Sequence, residues 1–439
     1  MIEDKKSISV FIPAKNENRL WSMAMMFIAF VVIIFRDYNL FIVPRFWAEE
    51  GNWFSYAYSQ NWIRVIFSFV GEYYAFYPRF ATLMASRVIP LEHAPLITTL
   101  MAFFVQYAVV MIVIYDNSIL WNTPFKKAVI VTIVLFFPKS AEIWLNTNGS
   151  QYYLSLISVL ILLGDDTYSS NAKKYAYRIL IAVAGLTGVL SCLLTPLFFF
   201  KAMAKKNREA FIHTGILLIC SIIQIYALIQ TPNPDRSGFP DLATASLIIW
   251  IRNFLAPFSI PLAEVCSKYV RRGLYGKEMY YYAGYGVLFI QAMILWFLKR
   301  KMIQHKGILL IGSFLFLSFF STYFAVAGEK NFALLHINMG NRYFYATNVL
   351  IMAMVFFSID FKPKTLIKKI SSVFLALLLL AGIINSIYFF NQEKLKKRNW
   401  PAWREEIQTW KKDPTYKPKT WPTGWKVSLH KVKNEYNGL

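Results

Sequence analysis

Glu49 and Glu50 are the residues whose type and spacing first suggest chemistry, an adjacent carboxylate pair in the aromatic stretch PRFWAEEGNWFSYAYSQNW, Pro44 to Trp62. Carboxylates near a membrane are costly to desolvate and are usually paired or functional. In a water-poor cleft a glutamate has a raised pKa and serves as a general base. The plain alternative is a solvated acidic patch that ties the loop to Arg45 or Arg64. Two further stretches, GEYYAFYPRF (Gly71 to Phe80) and GNRYFY (Gly340 to Tyr345), set Arg79 and Arg342 beside aromatics. A guanidinium fork donates two parallel charge-assisted hydrogen bonds to a phosphate or pyrophosphate. The faces of Trp53, Tyr77 and Tyr343 suit a sugar ring, and equally an interfacial aromatic belt with snorkelling arginines. Glu142 and Trp144, with Asn146, Asn148 and Gln151, form a weaker polar-aromatic mouth. Asn148–Gly149–Ser150 fits a glycosylation acceptor, but one match in 439 residues is close to chance.

These residues need elements to position them. Only 16% of the chain is charged and 56% is hydrophobic, with a mean hydropathy of +0.41. Soluble domains carry roughly 25% charge, so a water-soluble globular protein is excluded. The apolar runs are long enough for about 30 Å of hydrocarbon and do not alternate residue by residue as a β-barrel requires. The fold class is therefore an all-α polytopic membrane protein. A first helix over Leu20–Phe35 follows Lys5, Lys6, Lys15 and Arg19, which places the N-terminus inside and the next segment outside. No small-residue cleavage site follows it, so it reads as a retained helix. The segment 36–75 reads as an external loop with juxtamembrane helices lying on the membrane surface.

Further apolar runs lie at about 76–91, 96–115, 126–138, 151–164, 178–191, 193–203, 211–229, 281–298, 307–327, 345–359 and 370–390. Several are too short for a perpendicular span and read as re-entrant elements or short hairpins, giving a bundle of about 10–13 transmembrane or re-entrant helices. Basic clusters at Lys173–Lys174–Arg178, Lys201–Lys205–Lys206–Arg208, Lys299–Arg300–Lys301 and Lys362–Lys364–Lys368–Lys369 mark inner turns. The stretch 178–203 between two of them goes in and out as two short helices, bending near Leu194–Thr195–Pro196. Across 76–150 the short runs and Lys126–Lys127 disagree about parity. The segment 230–280 reads as an external loop with an interfacial or re-entrant part, and it holds Arg236, Arg252, Arg271 and Arg272. Two parts result: a transmembrane domain, 1–391, and a short external tail, 392–439, with 12 basic and 5 acidic residues among interleaved tryptophans.

The net charge of +23 is then mostly topology punctuation rather than a nucleic-acid surface. Cys192, Cys220 and Cys266 are far apart, and five scattered histidines form no ligand pattern, so no metal site is indicated. There is no Walker A motif, no GxGxxG before a helix, no DxD pair in a soluble domain and no HExxH. ATP-driven transport, Rossmann cofactor chemistry and a soluble nucleotide-sugar domain are unsupported.

The arrangement resembles the integral-membrane glycosyltransferases of the GT-C type, which use polyprenyl-phosphate-linked sugars. Ala48–Glu49–Glu50–Gly51, trailed by Ala57 and Trp62, is similar to their acidic first external loop, whose Asp or Glu is the catalytic base. Tyr77–Pro78–Arg79 resembles the proline-containing start of their second helix. Gly185–Leu186–Thr187–Gly188, continuing to Pro196, resembles a short hairpin after a Gly-Leu-Thr signature. Arg342–Tyr343 is similar to a late-loop element facing the lipid phosphate, and Trp421–Pro422–Thr423–Gly424–Trp425 to a short external C-terminal domain. The chain departs from the pattern in having Glu-Glu where Asp often stands, which leaves open which residue is the base. It also lacks the large external domain of oligosaccharyltransferases, which argues against a protein acceptor of that kind.

The resemblance implies an inverting transfer at the external face of the bacterial cytoplasmic membrane. A polyprenyl-phosphate sugar is the expected donor and an envelope glycan or glycolipid, such as lipopolysaccharide or O-antigen, the expected acceptor. Glu49 or Glu50 is the expected base. Arg342, with Arg79 or Arg252, is expected at the donor phosphate, and Tyr343, Tyr77, Trp53, Glu142 and Trp144 at the sugar or acceptor. No cofactor is required, because an Arg-stabilised monophosphate leaving group needs none; a divalent metal is left open. The expected partners are membrane lipid, a flippase and a donor-synthesising enzyme, with no nucleic acid. Two rival readings are a transporter or flippase of lipid-linked sugars and an envelope polysaccharide polymerase or ligase with an Arg-rich late loop.

Overall fold

The computed structural model describes residues 17–69, 73–116, 118–165, 170–230, 240–274, 276–302, 304–323, 333–389 and 402–429. Lys5, Lys6, Lys15, Gly71, Glu72, Arg236 and the start of the tail lie outside them. The apolar runs become helices: α1 Glu17–Arg36, α2 Asn39–Ile42, α3 Glu49–Ser59, α4 Trp62–Phe67, α5 Phe76–Arg87, α6 Ala94–Tyr115, α7 Pro124–Leu135, α8 Ser150–Leu163 and α9 Asn171–Leu186. They continue as α10 Thr195–Lys205, α11 Arg208–Gln230, α12 Leu242–Ile249, α13 Ile260–Tyr269, α14 Glu278–Lys301, α15 Gln304–Tyr323, α16 Tyr345–Phe357, α17 Leu366–Phe389 and, in the tail, α18 Trp403–Lys412. Among the described residues only isolated bridges interrupt the helical pattern. Among the described residues six helices are long and apolar enough to cross a membrane: Arg19–Arg36, Leu91–Tyr115, Arg208–Gln230, Glu278–Lys301, His305–Tyr323 and Leu366–Phe389. The chain is a multi-pass helical membrane protein.

Charge sorts the two ends of the bundle. At one end Lys173 pairs with Asp116 at 2.5 Å, Lys205 with Asp165 at 3.4 Å, and Lys301 reaches Ser371 at 2.8 Å. Lys127 donates to the carbonyl of Ile114 at 2.5 Å, so Lys126–Lys127 belongs to this basic end as well. That contact resolves the parity of 76–150. α6 descends to the basic end, α7 returns from it, and α8 descends again. α5 has 12 residues and packs between α3 and α6 rather than crossing. α9 and α10 are the two short helices expected over 178–203, each packed on α11, with the bend at 187–194 away from the basic end.

α8 is the core helix. All of its 14 residues except Gln151 are buried, between α6, α9, α15 and α16. Lipid tails are as apolar as these side chains, so close packing rather than transfer from water holds such a bundle together. Gly284 shows the mechanism, since a Cβ there would lie 2.7 Å from Ala243 Cα on α12. A 14-residue helix is too short for bare hydrocarbon, but a sheath of protein removes that requirement. Its C-terminal carbonyls would be orphans; Lys201 donates to Ile161 and Gly164 at 3.3 and 3.2 Å, and Lys306 to Leu163 and to Gly164. Both lysines are buried.

The tail folds against the first loop, at the end opposite the basic clusters. In α18, Trp403, Ile407 and Trp410 recur at helical spacing and pack with Phe46 and Phe54. Trp403 Nε1 donates to the Leu91 carbonyl at 2.8 Å, and Lys411 pairs with Glu92. Beyond it, Trp421 N–H donates to the Phe46 carbonyl at 3.0 Å and the Trp421 carbonyl accepts from Ala48 N–H.

Candidate functional site

The clamp of tail on loop falls directly before the acidic pair. Ala48, the N-cap of α3, has φ +45°, a conformation that favours glycine. Residues held this way cluster at functional sites, where surrounding contacts over-determine them; here the tail supplies those contacts. Glu49 and Glu50 then begin α3, where the helix dipole favours negative charge. Successive helical residues point about 100° apart, and the pair separates accordingly.

Glu50 turns inward and is 1% exposed. Its Oε1 accepts from Thr147 N–H and Oγ1, each at 2.5 Å, and its Oε2 from Trp47 N–H at 2.9 Å. Burial pushes its pKa up to about 7 against the opposing pull of these hydrogen bonds. It joins the first loop to the loop 136–149. Glu49 is half-buried and opens on a cavity, where its Oε2 accepts from Asn148 Nδ2 at 3.2 Å.

That cavity measures about 790 Å³. Its polar part is built by Trp47, Glu49 and Trp53 of the first loop, Tyr73, Glu142, Asn148, Gln151, Tyr152, and Arg342–Tyr343. Its apolar part runs between the α9–α10 bend, α11 and α15, along Leu193, Pro196, Leu218, Ile225, Leu228, Phe316 and Phe320. Leu218 and Ile225 are more than half exposed on the outer surface of α11, so the apolar part borders the membrane-facing side. The loop 136–149 is tightly folded. Asn146 Oδ1 accepts from Gly149 N–H at 2.7 Å, and a Cβ on Gly149 would lie 2.7 Å from Ile143 Cα. Opposite it, Gly340 at φ +61° leads into the 3₁₀ turn Asn341–Phe344. Glu142 Oε2 accepts from Arg342 N–H at 3.3 Å. The Arg342 guanidinium lies over the Tyr343 ring at 5.0 Å and donates from Nη2 to Tyr343 Oη at 3.0 Å. Among the described residues no other acceptor meets its fork, which faces the cavity.

Of the ten residues expected at the base, the phosphate or the sugar, five share one cavity, Glu49, Trp53, Glu142, Arg342 and Tyr343, and Asn148 and Gln151 of the polar-aromatic mouth line it with them. The other five do not line it. Glu50 is locked as described. Arg79, expected at the phosphate, is 1% exposed; it donates to Ser68 and to the Val65 carbonyl and lies over Trp53 at 4.8 Å. Arg252, also expected there, sits in the π-helical turn Trp250–Leu255 and donates to the His336 carbonyl at 2.7 Å and Asn341 Oδ1 at 2.9 Å. Tyr77 donates to the Met101 carbonyl at 2.7 Å, and buried Trp144 lies 4.1 Å from the Arg36 guanidinium. For Arg79 and Arg252 the cause is the low dielectric: carbonyls beside a membrane need donors, and an arginine carries five. Arg271, part of the late-loop expectation, faces His336 at 2.5 Å and is likewise away from the cavity. Asn148 faces Glu49, which removes it from the role of surface acceptor.

Gln224 and Ser221 also line the cavity, and sequence reasoning passed over them. Gln224 donates to the Tyr74 and Gly185 carbonyls at 2.9 and 3.0 Å and accepts from Tyr74 N–H at 3.0 Å, tying α11 to the site. The signal was a lone glutamine in an otherwise apolar run. Glu49 and Glu142 are the cavity carboxylates able to face a cation; among the described residues no three His, Cys, Asp or Glu side chains gather as a metal site. Comparison with protein-family models, curated proteins and solved structures finds no match.

Proposed function

We propose that the chain is a membrane glycosyltransferase of GT-C type, moving a sugar from a polyprenyl phosphate to an envelope glycan or glycolipid. One observation carries the reading: a carboxylate and an arginine, Glu49 and Arg342, open on a cavity that continues as an apolar channel beside the membrane-facing side of α11. A lipid-linked sugar has that division, a chain that avoids water and a phosphate-sugar head. The sugar stacks among Trp47, Trp53 and Tyr343, and the phosphate meets the open fork of Arg342. Glu49 takes the proton from an acceptor hydroxyl, and that oxygen forms a bond to the anomeric carbon. The bond from that carbon to the phosphate oxygen breaks, and its electron pair leaves with the polyprenyl phosphate, whose added charge Arg342 stabilises. Displacement from the opposite face inverts the anomeric centre. In this reading the basic clusters face the cytoplasm, and the transfer takes place at the outer face of a bacterial cytoplasmic membrane. Glu50, which three protein donors already hold, is a positioning residue in this scheme.

The test is transfer from a panel of radiolabelled lipid-linked sugars by the reconstituted protein, with Glu49→Gln and Arg342→Ala beside the parent. Transfer by the parent and its loss in both variants is the expected result. Full transfer by Glu49→Gln sinks the assignment of the base. Specific binding of the lipid-linked sugar without transfer, unchanged by Glu49→Gln, favours a carrier instead.

A further inference from the structure

The end of the bundle opposite Glu49 carries a second hollow, of about 760 Å³, between the start of α9, the end of α10 and the start of α11. Five cations line it, Lys174, Arg178, Lys205, Lys206 and Arg208, with one acid, Glu209. Arg178 holds Glu209 through Nη2 at 2.6 Å and Nε at 3.1 Å, and Lys205 lies 3.4 Å from Asp165. Lys174, Lys206 and Arg208 make no ion pair among the described residues. Asn171 and Arg208, the first residues of α9 and α11, both line the hollow, so two helix N-termini add their partial positive charge to it. Lys206, at φ +48°, ends α10 and turns the chain straight into α11, which brings Lys205, Lys206 and Arg208 to one rim.

Topology alone asks for basic residues at this end. It does not ask that they converge with two helix starts on one concavity. Apolar side chains on the same helices complete the picture: Tyr175, Ile179 and Phe211 are 62%, 63% and 44% exposed. They offer a surface for hydrocarbon chains beside a cage for an anion.

We propose that this hollow binds a phosphate-bearing polyanion, held as the headgroup of an anionic phospholipid whose chains lie along Tyr175, Ile179 and Phe211. A headgroup with two phosphates matches two helix N-termini and an excess of unpaired cations, and basic pockets between membrane helices favour such groups. The proposal is independent of the reading of the Glu49 cavity. It gives this end of the molecule a lipid ligand of its own.

Native mass spectrometry of the full chain in detergent tests it, with cardiolipin, phosphatidylglycerol and phosphatidylcholine as probes. Cardiolipin is expected to bind most tightly and phosphatidylcholine least. Each cation contributes about fivefold, so Lys174→Ala/Lys206→Ala/Arg208→Ala together should weaken cardiolipin about 100-fold, and the milder Arg208→Ala alone about fivefold. Lys364→Ala/Lys368→Ala/Lys369→Ala removes equal charge from exposed positions at the start of α17 and should leave binding unchanged. Inorganic pyrophosphate separates the sources: failure to displace cardiolipin identifies the lipid, and displacement identifies the phosphate group itself as what is recognised. Equal weakening by both triple variants, or no preference over phosphatidylcholine, overturns the site.

Discussion

The cavity mouth and the protein layer beside it hold the same chemistry, a glutamate and an arginine stacked near aromatics, in opposite states. At the mouth, among the described residues, Glu49 accepts a hydrogen bond from the Asn148 side chain and Arg342 donates one to Tyr343, and both open on about 790 Å³. In the neighbouring layer Glu50 accepts three hydrogen bonds, and Arg252 lies over Phe344 at 4.6 Å with its fork on His336 and Asn341. The hollow beside Arg252 is about 20 Å³, roughly the room one water needs. Arg342 and Arg252 even serve the same 3₁₀ turn. An aromatic neighbour therefore does not make an arginine a ligand-binding residue. Unengaged donors and free space do.

Variants in each region break or sharpen that contrast. The largest effect is expected at Glu49→Gln, a loss of about 10²–10⁴-fold in kcat with Tm unchanged; an equal loss in Glu50→Gln at unchanged Tm would erase the distinction between the carboxylates. Next comes Arg342→Ala, with about 10²–10³-fold lost from kcat. Arg342→Lys should recover only part of it, because a lysine supplies a point charge without the fork. Arg252→Ala should act on folding instead. It removes two hydrogen bonds to part-buried acceptors, at about 0.5–1.5 kcal/mol each, read as a lower Tm in detergent with KM unaltered in the folded fraction. The smallest effect concerns Glu50 and pH. Its folded pKa of about 7 lies above an unfolded value of about 4.3, so between them the folded state binds more protons. This group's contribution to stability is therefore greatest at low pH and declines as pH rises toward 7 and beyond. Tm measured from about pH 5 to about pH 8 should carry that downward slope, and Glu50→Gln should remove it while lowering Tm overall, since its amide meets the Trp47 N–H.

The helices were readable because membrane spans announce themselves by length and apolarity, and even the short hairpin 178–203 followed from two flanking basic clusters. The acidic pair could be located but not divided. Neighbouring residues in sequence part by helical phase, and that phase depends on where Ala48 is held by a tail more than 370 residues away. Arg79 and Arg252 misled for one reason, that binding to nearby carbonyls leaves no mark in local composition; Trp144 is instead buried beneath the Arg36 guanidinium. The tail's attachment was half legible. Trp403, Ile407 and Trp410 form a helical stripe, but the surface that receives it lies in the first loop.

α8 has a consequence for voltage. Its 14 residues span about 21 Å, and polar groups meet it at both ends, Gln151 and Glu142 beside the cavity and Lys201 and Lys306 at the other. The surrounding hydrocarbon is about 30 Å thick. A membrane potential falling between these polar layers is compressed, giving a field about 1.4 times as steep as in the lipid around it. One elementary charge crossing it gains or loses about 2.3 kcal/mol per 100 mV. A charged group held at the Arg342 corner therefore sits at the rim of that steeper field.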